Sequence, residues 1–254
     1  MTAAPAPLSD DQLDRYARHI VLREIGGAGQ QALLAAHVAI VGAGGIGSPL
    51  IQALAAAGIG RLTVIDDDVV ALSNLQRQYL FATADVGRPK VAAAADAVAR
   101  LNPDVRFVQQ NERLAPANFD AFASQADVIV DGSDNFETRL MVADAALARR
   151  IPLVSAAVGQ FEGQLAVYRG WEAGKPCYRC LVGDAPDRGD ASCADQGVLG
   201  ALTGVLGSLA AIETIRQIVP FGEDSAGKLL LVDALAFRFR TITVPKDPGC
   251  RCAA

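Results

Sequence analysis

The stretch Gly42-Ala43-Gly44-Gly45-Ile46-Gly47 stands between a short apolar run, His37 to Val41, and an alanine-rich segment. Glycines at a strand-to-helix junction let the backbone turn tightly and bring phosphate oxygens up to the N–H groups of a helix N-terminus. Asp66 closes the next apolar run, Arg61 to Ile65, where a carboxylate can accept hydrogen bonds from ribose hydroxyls. Together these residues read as an adenine-nucleotide site. A glycine turn serving only tight strand–helix packing is the alternative, and the pattern alone does not choose between NAD and ATP.

Three later segments bear on that choice. Ser73-Asn74-Leu75-Gln76-Arg77-Gln78 follows the acidic run Asp66-Asp67-Asp68, Arg88-Pro89-Lys90 comes next, and Asp131-Gly132-Ser133-Asp134-Asn135 ends another predicted strand. In an open α/β sheet ligands gather at the C-terminal ends of the strands, so these loops can share one crevice. Arg77 and Lys90 supply cations for polyphosphate oxygens, Asn74 a neutral donor, and Asp134 a hard oxygen ligand for Mg2+. Hydride transfer has no use for such a set. The two histidines, His19 in the first helix and His37 opening a buried strand, offer no evident acid–base pair. The cluster favours a triphosphate over a dehydrogenase.

Five cysteines suggest a set of four plus one. Cys177-Tyr178-Arg179-Cys180 and Cys250-Arg251-Cys252, brought together, can hold Zn2+ through four thiolates. Reduced metal-free thiols and a redox-active pair are the alternatives, the second weakened by the absence of a strand-to-helix setting. Cys193 is left over. It lies in the polar stretch Gly183 to Gln196, where a mobile loop is expected before a long helix.

The elements that must position these residues follow from periodicity and stop signals. Ser9-Asp10-Asp11-Gln12 has the spacing of a capping box and predicts a helix through about Val21, ended by Gly26, Gly27 and Gly29. A second helix is expected over Gln30 to Ala36. Beyond it, strands at 37–41, 61–65, 106–109 and 128–130 alternate with helices over 46–57, 90–101, 117–124 and 137–150. That alternation means βαβ units in an α/β, Rossmann-like, doubly wound and mostly parallel sheet. After Pro152 the pattern changes to strands at 153–157 and 164–168, a loop-rich stretch at 171–196, a helix over 199–219, and strands at 229–232 and 237–244. These extend the sheet antiparallel. Residues 1–8 read as a flexible tail and residues 9–254 as a single domain.

Composition narrows the function classes. Hydrophobic residues at 51% suffice for a core, and a net charge of −5 weighs against non-specific nucleic-acid binding. The sequence has no long uncharged apolar run and no secretory leader, so no membrane span is expected and the cytoplasm is the predicted location.

The segments Arg15-Tyr16-Ala17-Arg18-His19, Gly42 to Gly47, Ser73 to Gln78, Arg88-Pro89-Lys90 and Ser133-Asp134-Asn135 together resemble the ThiF/MoeB/HesA family, bacterial relatives of the ubiquitin-activating enzymes. The resemblance runs from about Leu8 to Cys252. It implies ATP contacts within Gly42, Gly44, Gly45 and Gly47, at Asp66, through Ser73, Asn74, Leu75, Gln76 and Arg77, and at Lys90. It places Asp134 on Mg2+ with Asn135 beside it, and it sends Arg18 to the triphosphate of a neighbouring subunit, making a homodimer. The implied reaction is adenylylation of the C-terminal glycine carboxylate of a ubiquitin-like sulfur-carrier protein ending in Gly-Gly, ahead of thiocarboxylate formation with sulfur from a separate donor protein.

Relatives of this kind carry a structural zinc held by two CxxC pairs, whereas here the second pair is CxC. In ThiF-like relatives the cysteine matching Cys193 can link covalently to the carrier, while MoeB-like relatives carry one without clear need for it in adenylation. Ala191-Ser192-Cys193-Ala194-Asp195-Gln196-Gly197-Val198 favours the MoeB type, acting on molybdopterin synthase for molybdenum-cofactor biosynthesis. Asp66-Asp67-Asp68 and Val158-Gly159 favour the thiamine-pathway type. The paired cysteines and acidic charge count against a tRNA threonylcarbamoyladenosine dehydratase. The full set Arg18, Arg77, Lys90 and Asp134 counts against a non-catalytic binding partner.

Overall fold

Apolar runs bounded by glycine and acid become parallel strands because both their faces can be buried. Strands β1 (His37–Val41), β2 (Arg61–Ile65), β3 (Arg106–Gln110), β4 (Val128–Asp131) and β5 (Leu153–Gly159) run parallel, and β6 (Glu162–Tyr168), β7 (Lys228–Asp233) and β8 (Arg238–Thr243) continue antiparallel. The computed structural model describes residues 7–183 and 197–253, and among these the sheet order is β3-β2-β1-β4-β5-β6-β7-β8. The helices are α1 (Asp10–Arg15), α2 (Ala17–Ile20), α3 (Gly26–Ala35), α4 (Gly47–Ala57), α5 (Lys90–Leu101), α6 (Phe119–Phe122), α7 (Phe136–Arg149), α8 (Tyr178–Val182) and α9 (Gly200–Ile218).

Two cores sandwich the sheet. Along β1, Val38 and Ile40 enter one core while Ala39 and Val41 enter the other, the two-residue period of a strand. The first core takes Leu50, Ile51 and Leu54 of α4 and Leu206 of α9; the second takes Phe119 and Phe122 of α6, Val142 of α7 and Tyr178 of α8. The chain steps outward from β1 to β2 to β3, then returns to place β4 on the other side of β1. That reversal opens a crevice beyond the C-terminal ends of β1 and β4.

Some elements differ from the sequence expectation. The first helix breaks at Tyr16 (φ −102°, ψ 13°), whose buried hydroxyl accepts from Asn102 Nδ2 at 2.8 Å. Anchoring that ring against Gly58 outweighs continuation of the helix. Gly26, Gly27 and Gly29 lie inside α3 rather than ending a helix, and a Cβ at Gly29 would sit 3.0 Å from Val219 Cγ1. The helix expected over 117–124 is one short turn, α6, and the loop-rich 171–196 stretch contains α8. No helix among the described residues is long and apolar enough to cross a membrane.

Candidate nucleotide site and cysteine cluster

The glycine loop is shaped by two contacts that only glycine allows. Gly42 adopts φ +89° while its N–H donates to Ile65 O at 2.9 Å, and a Cβ on Gly47 would lie 2.0 Å from Gly42 O. The loop therefore closes on itself before α4 begins. Asp66, at the end of β2, fastens it: Oδ2 accepts from Ala43 N at 2.7 Å and Oδ1 from Asp68 N at 2.9 Å. Burial pushes the Asp66 carboxyl above its ordinary value, opposed by the Lys90 charge and those two N–H groups. A carboxylate has more lone pairs than these bonds use, leaving acceptor capacity for a ligand hydroxyl.

Lys90 opens α5 with its Nζ 2.6 Å from Asp68 Oδ2, and its N–H donates to Asp68 O at 3.0 Å. Val70 N–H donates to Arg88 O, and Gly87 N–H to Val70 O, so Arg88-Pro89-Lys90 is laced to the acidic run. Arg88 itself is taken by Asp85 and Asp96 at 2.7 and 2.5 Å. Asn74 Oδ1 accepts from Ala71 N at 3.0 Å. Arg77 Nη1 donates to Ser73 O at 3.0 Å, and Arg77 Cδ would be 3.7 Å from a Cβ on Gly45. The Ser73–Gln78 segment thus runs beside the glycine loop, Arg77 next to Gly45 and Gln78 next to Gly44, with half-buried Leu75 packed on the first core.

The loop after β4 forms the opposite wall, since a Cβ on Gly132 would lie 3.7 Å from Gly47 N. Buried Asp131 accepts from Ser133 N and Oγ at 2.9 and 2.6 Å. Asn135 caps α7 by accepting from Thr138 N at 2.8 Å, so part of its hydrogen-bonding capacity is structural. Asp134, between Asp131 and Asn135, is exposed.

Several supporting residues were invisible to sequence reasoning. Arg139 of α7 donates to Ser133 O and, at 3.0 Å, to Ala156 O, with Nη1 3.9 Å from Asp131 Oδ2. It braces the Asp131–Asn135 loop from behind. Gly200 of α9 lets Gln76 approach, because a Cβ there would lie 2.2 Å from Gln76 O. Thr203 Oγ1 lies 3.1 Å from Arg77 O, and Tyr79 donates to Gly200 O at 2.5 Å. The partners are more than 120 positions apart, and no local pattern encodes that pairing.

Arg18 stands apart from all of this. It is exposed on α2, two residues after Tyr16, which packs on Gly58 at the far end of α4. The 11 residues of α4 put about 16 Å between that end and the glycine loop.

The four cysteines of the two pairs do come together. Cys177 Sγ lies 3.9 Å from Cys180 Sγ and 3.5 Å from Cys250 Sγ, and Cys180 Sγ lies 3.4 Å from Cys252 Sγ. All four lie within 4.8 Å of one another. Zinc–thiolate bonds of about 2.3 Å in a tetrahedron require sulfur separations of about 3.8 Å, so the set fits a metal ion without rearrangement of the chain. Burial pushes the Cys177 and Cys252 thiols up. Burial also opposes ionisation of Cys180, but the N–H groups of Asp247 and Cys177 and the thiols of Cys252 and Cys250 hold it below its ordinary value. Cys193 lies outside the described residues.

An open cavity of about 790 Å³ lies across the antiparallel strands, lined in part by Gln160, Phe161, Glu162, Leu235, Arg238 and Arg240. Gln160 N–H donates to Gly197 O at 3.1 Å and Gln160 O accepts from Leu199 N at 2.8 Å. These bonds tie the cavity rim to the segment entering α9, beside Gln76 and Arg77.

A doubly wound sheet with a glycine loop, a strand-end acid and cations converging on its switch point defines a Rossmann-like nucleotide-binding protein. The chain belongs to the ThiF family, whose profile matches residues 16–252. It is 45% identical to the sulfur carrier protein adenylyltransferase of Thermus thermophilus over 94% of this chain and 90% of that protein. It is 41% identical to the molybdopterin-synthase adenylyltransferase of Escherichia coli over 96% of this chain and 98% of that one. A crystal structure of E. coli MccB with MccA-N7isoASN shares the fold, with a TM-score of 0.82 at 22% identity over 94% of this chain and 75% of that one.

Proposed function

We propose that this protein uses ATP to adenylylate the C-terminal glycine carboxylate of a ubiquitin-like sulfur carrier. The observation that carries the reading is that the glycine loop, Asp66, Arg77 and Lys90 lie together beyond the C-terminal ends of β1 and β2, with the loop that carries Asp134 starting beside Gly47 at the end of β4. Its near-full-length similarity to proteins named as adenylyltransferases of such carriers agrees with it.

In this reading Asp66 accepts from the ribose hydroxyls, the loop around Gly42, Gly44, Gly45 and Gly47 admits the phosphates, and Ser73, Asn74, Leu75 and Gln76 wall the site. A carboxylate oxygen of the carrier attacks the α-phosphorus, the bond to the bridging oxygen breaks, and pyrophosphate leaves with that electron pair. The nucleophile is already an anion, so no general base is needed. Arg77 and Lys90 hold the anions together and offset charge on the leaving group. Mg2+ bound at Asp134, with Asn135 alongside, would add to that neutralisation.

Two features support a homodimer. Arg18 is separated from its own glycine loop by the length of α4, so a role on triphosphate places it in the site of a second copy. The exposed Val21 and Leu22 follow it, apolar surface that a partner would cover. Cys177, Cys180, Cys250 and Cys252 form a structural zinc site, consistent with thiols kept reduced in the cytoplasm. The carrier tail reaches the α-phosphate along the cavity past Arg238 and Arg240. Cys193 is not required for adenylation, and sulfur comes from a separate donor.

The test is ATP–pyrophosphate exchange with Mg2+ and carriers ending in Gly-Gly. Exchange that depends on a free carrier C-terminus is the expected result. A molybdopterin-type carrier outperforming a thiamine-type one assigns the pathway to molybdenum-cofactor biosynthesis; the reverse assigns thiamine. ATP binding without exchange for any carrier rejects the reading.

A further inference from the structure

We propose that Asp144 is a positioning residue of the cysteine cluster, a single carboxylate that grips the middle residue of each cysteine pair. It lies on α7, outside both pairs, yet Arg179 donates to it through Nε and Nη2 at 2.7 Å each, a bidentate fork. Arg251 Nη1 donates to the same Oδ2 at 3.3 Å. Arg179 sits between Cys177 and Cys180, and Arg251 between Cys250 and Cys252. One side chain therefore fixes the relative placement of two segments some seventy positions apart.

The shortness of the second pair gives this grip its purpose. A CxC segment has one backbone unit fewer than CxxC with which to turn both sulfurs inward. Contacts from its approach to the rest of the fold include Asp247 N–H to Cys180 Sγ at 3.4 Å and Lys246 Nζ to Gly170 O at 2.9 Å, both upstream of Cys250. Within the pair, Arg251 adds a side-chain tether to those of the cysteines themselves. The post it is tied to is firm, because Val142, Ala143 and Ala146 of α7 are buried in the second core beside Asp144. Four thiolates around Zn2+ would carry a net double negative charge, and Asp144 holds two guanidinium groups next to it while tempering their own repulsion.

This rests on the zinc reading of the cysteines, and the experiment separates the two. Zinc content is measured on the wild-type chain, then zinc release to an excess of a colorimetric chelator is timed for wild type and variants. Wild type is expected to hold about one zinc per chain and release it slowly. Asp144→Ala and Arg251→Ala should each release at least about tenfold faster, as loss of an outer-shell partner does elsewhere. The double variant should be no faster than Asp144→Ala alone, because Arg251 acts through Asp144. Asp144→Glu should restore much of the slow rate. Arg251 is half exposed, so its variant keeps the fold and guards against a misfolded Asp144→Ala. A wild type that binds no zinc on titration rejects the zinc site itself and this role with it. A zinc-loaded wild type whose variants release at the same rate, or whose double variant is additive, overturns Asp144 alone.

Discussion

Lys90 Nζ lies 2.6 Å from Asp68 Oδ2 although the two side chains occupy opposite surroundings, the lysine 6% exposed and the aspartate 68%. The ammonium is drawn out of water and left with a partner that water screens, so the pair itself adds little stability. In the proposed reaction that cation would pass from Asp68 to the polyphosphate. Lys90→Met keeps the buried stem and removes the charge. Pyrophosphate exchange should fall about 10²- to 10³-fold, the usual loss when a preorganised electrostatic contact is deleted, while circular dichroism stays unchanged. A loss under about tenfold would mean that Lys90 serves only to fasten the acidic run.

Arg18 and the glycine loop lie at opposite ends of α4, and this makes a prediction about mixtures. Arg18→Ala and Lys90→Met homodimers should each be inactive. After subunit exchange, half of the dimers pair one variant with the other, and one of the two sites in each such dimer regains both groups. Roughly a quarter of wild-type activity should return on mixing. No recovery, in a mixture shown to exchange subunits, would place Arg18 in its own chain's site or outside the reaction.

Gly200→Ala inverts the usual helix expectation. Alanine in a helix with open space gains up to about 1 kcal/mol over glycine, but here its Cβ would lie 2.2 Å from Gln76 O and 2.3 Å from Gln76 Oε1. Overpacking of this kind costs about 1–3 kcal/mol, and it would push the Ser73–Arg77 wall toward the phosphate site. Thermal midpoint and nucleotide affinity should fall together. Gly27→Ala in α3, with nothing within 4 Å, is the control: its thermal midpoint should hold or rise and its nucleotide affinity should stay unchanged. A Gly200→Ala protein as stable and as tight as wild type would show that the α9 contact does not shape the site.

These predictions divide along what could be read from sequence. The β1–α4–β2 unit, Asp66 and the span of α5 were legible because apolar periodicity and glycine or proline stops mark them locally. The cysteine pairs were visible as spacings, while their 3.4–3.9 Å contacts needed the fold. Tyr16 broke a helix whose propensity was sound, because a buried ring against Gly58 is a tertiary fact. Arg88 carried the same charge as Lys90 in the same motif, yet Asp85 and Asp96 engage it. Arg139, Asp144 and Thr203 act through partners that sequence distance hides.

Asp66 gives two pH effects of opposite sign. Burial raises its folded-state pKa above the ordinary 3.8, against the pull of Lys90 and of the Ala43 and Asp68 N–H groups. In the interval between 3.8 and that raised value the folded chain binds more protons than the unfolded one, so this group's contribution to stability falls as pH rises through it. Compared with Asp66→Asn, which does not titrate, wild type should gain thermal stability as pH drops into the interval, with a constant difference at neutral pH. Nucleotide affinity should run the other way. Ribose hydroxyls donate more strongly to an ionised acceptor, so binding to wild type should weaken on acidification while an ordinary aspartate would still be charged. Paired thermal melts and nucleotide titrations across the acid range measure both. If affinity for wild type and Asp66→Asn changes with pH in the same way, Asp66 does not contact the ribose and its carboxylate serves only to tie the loop through Ala43.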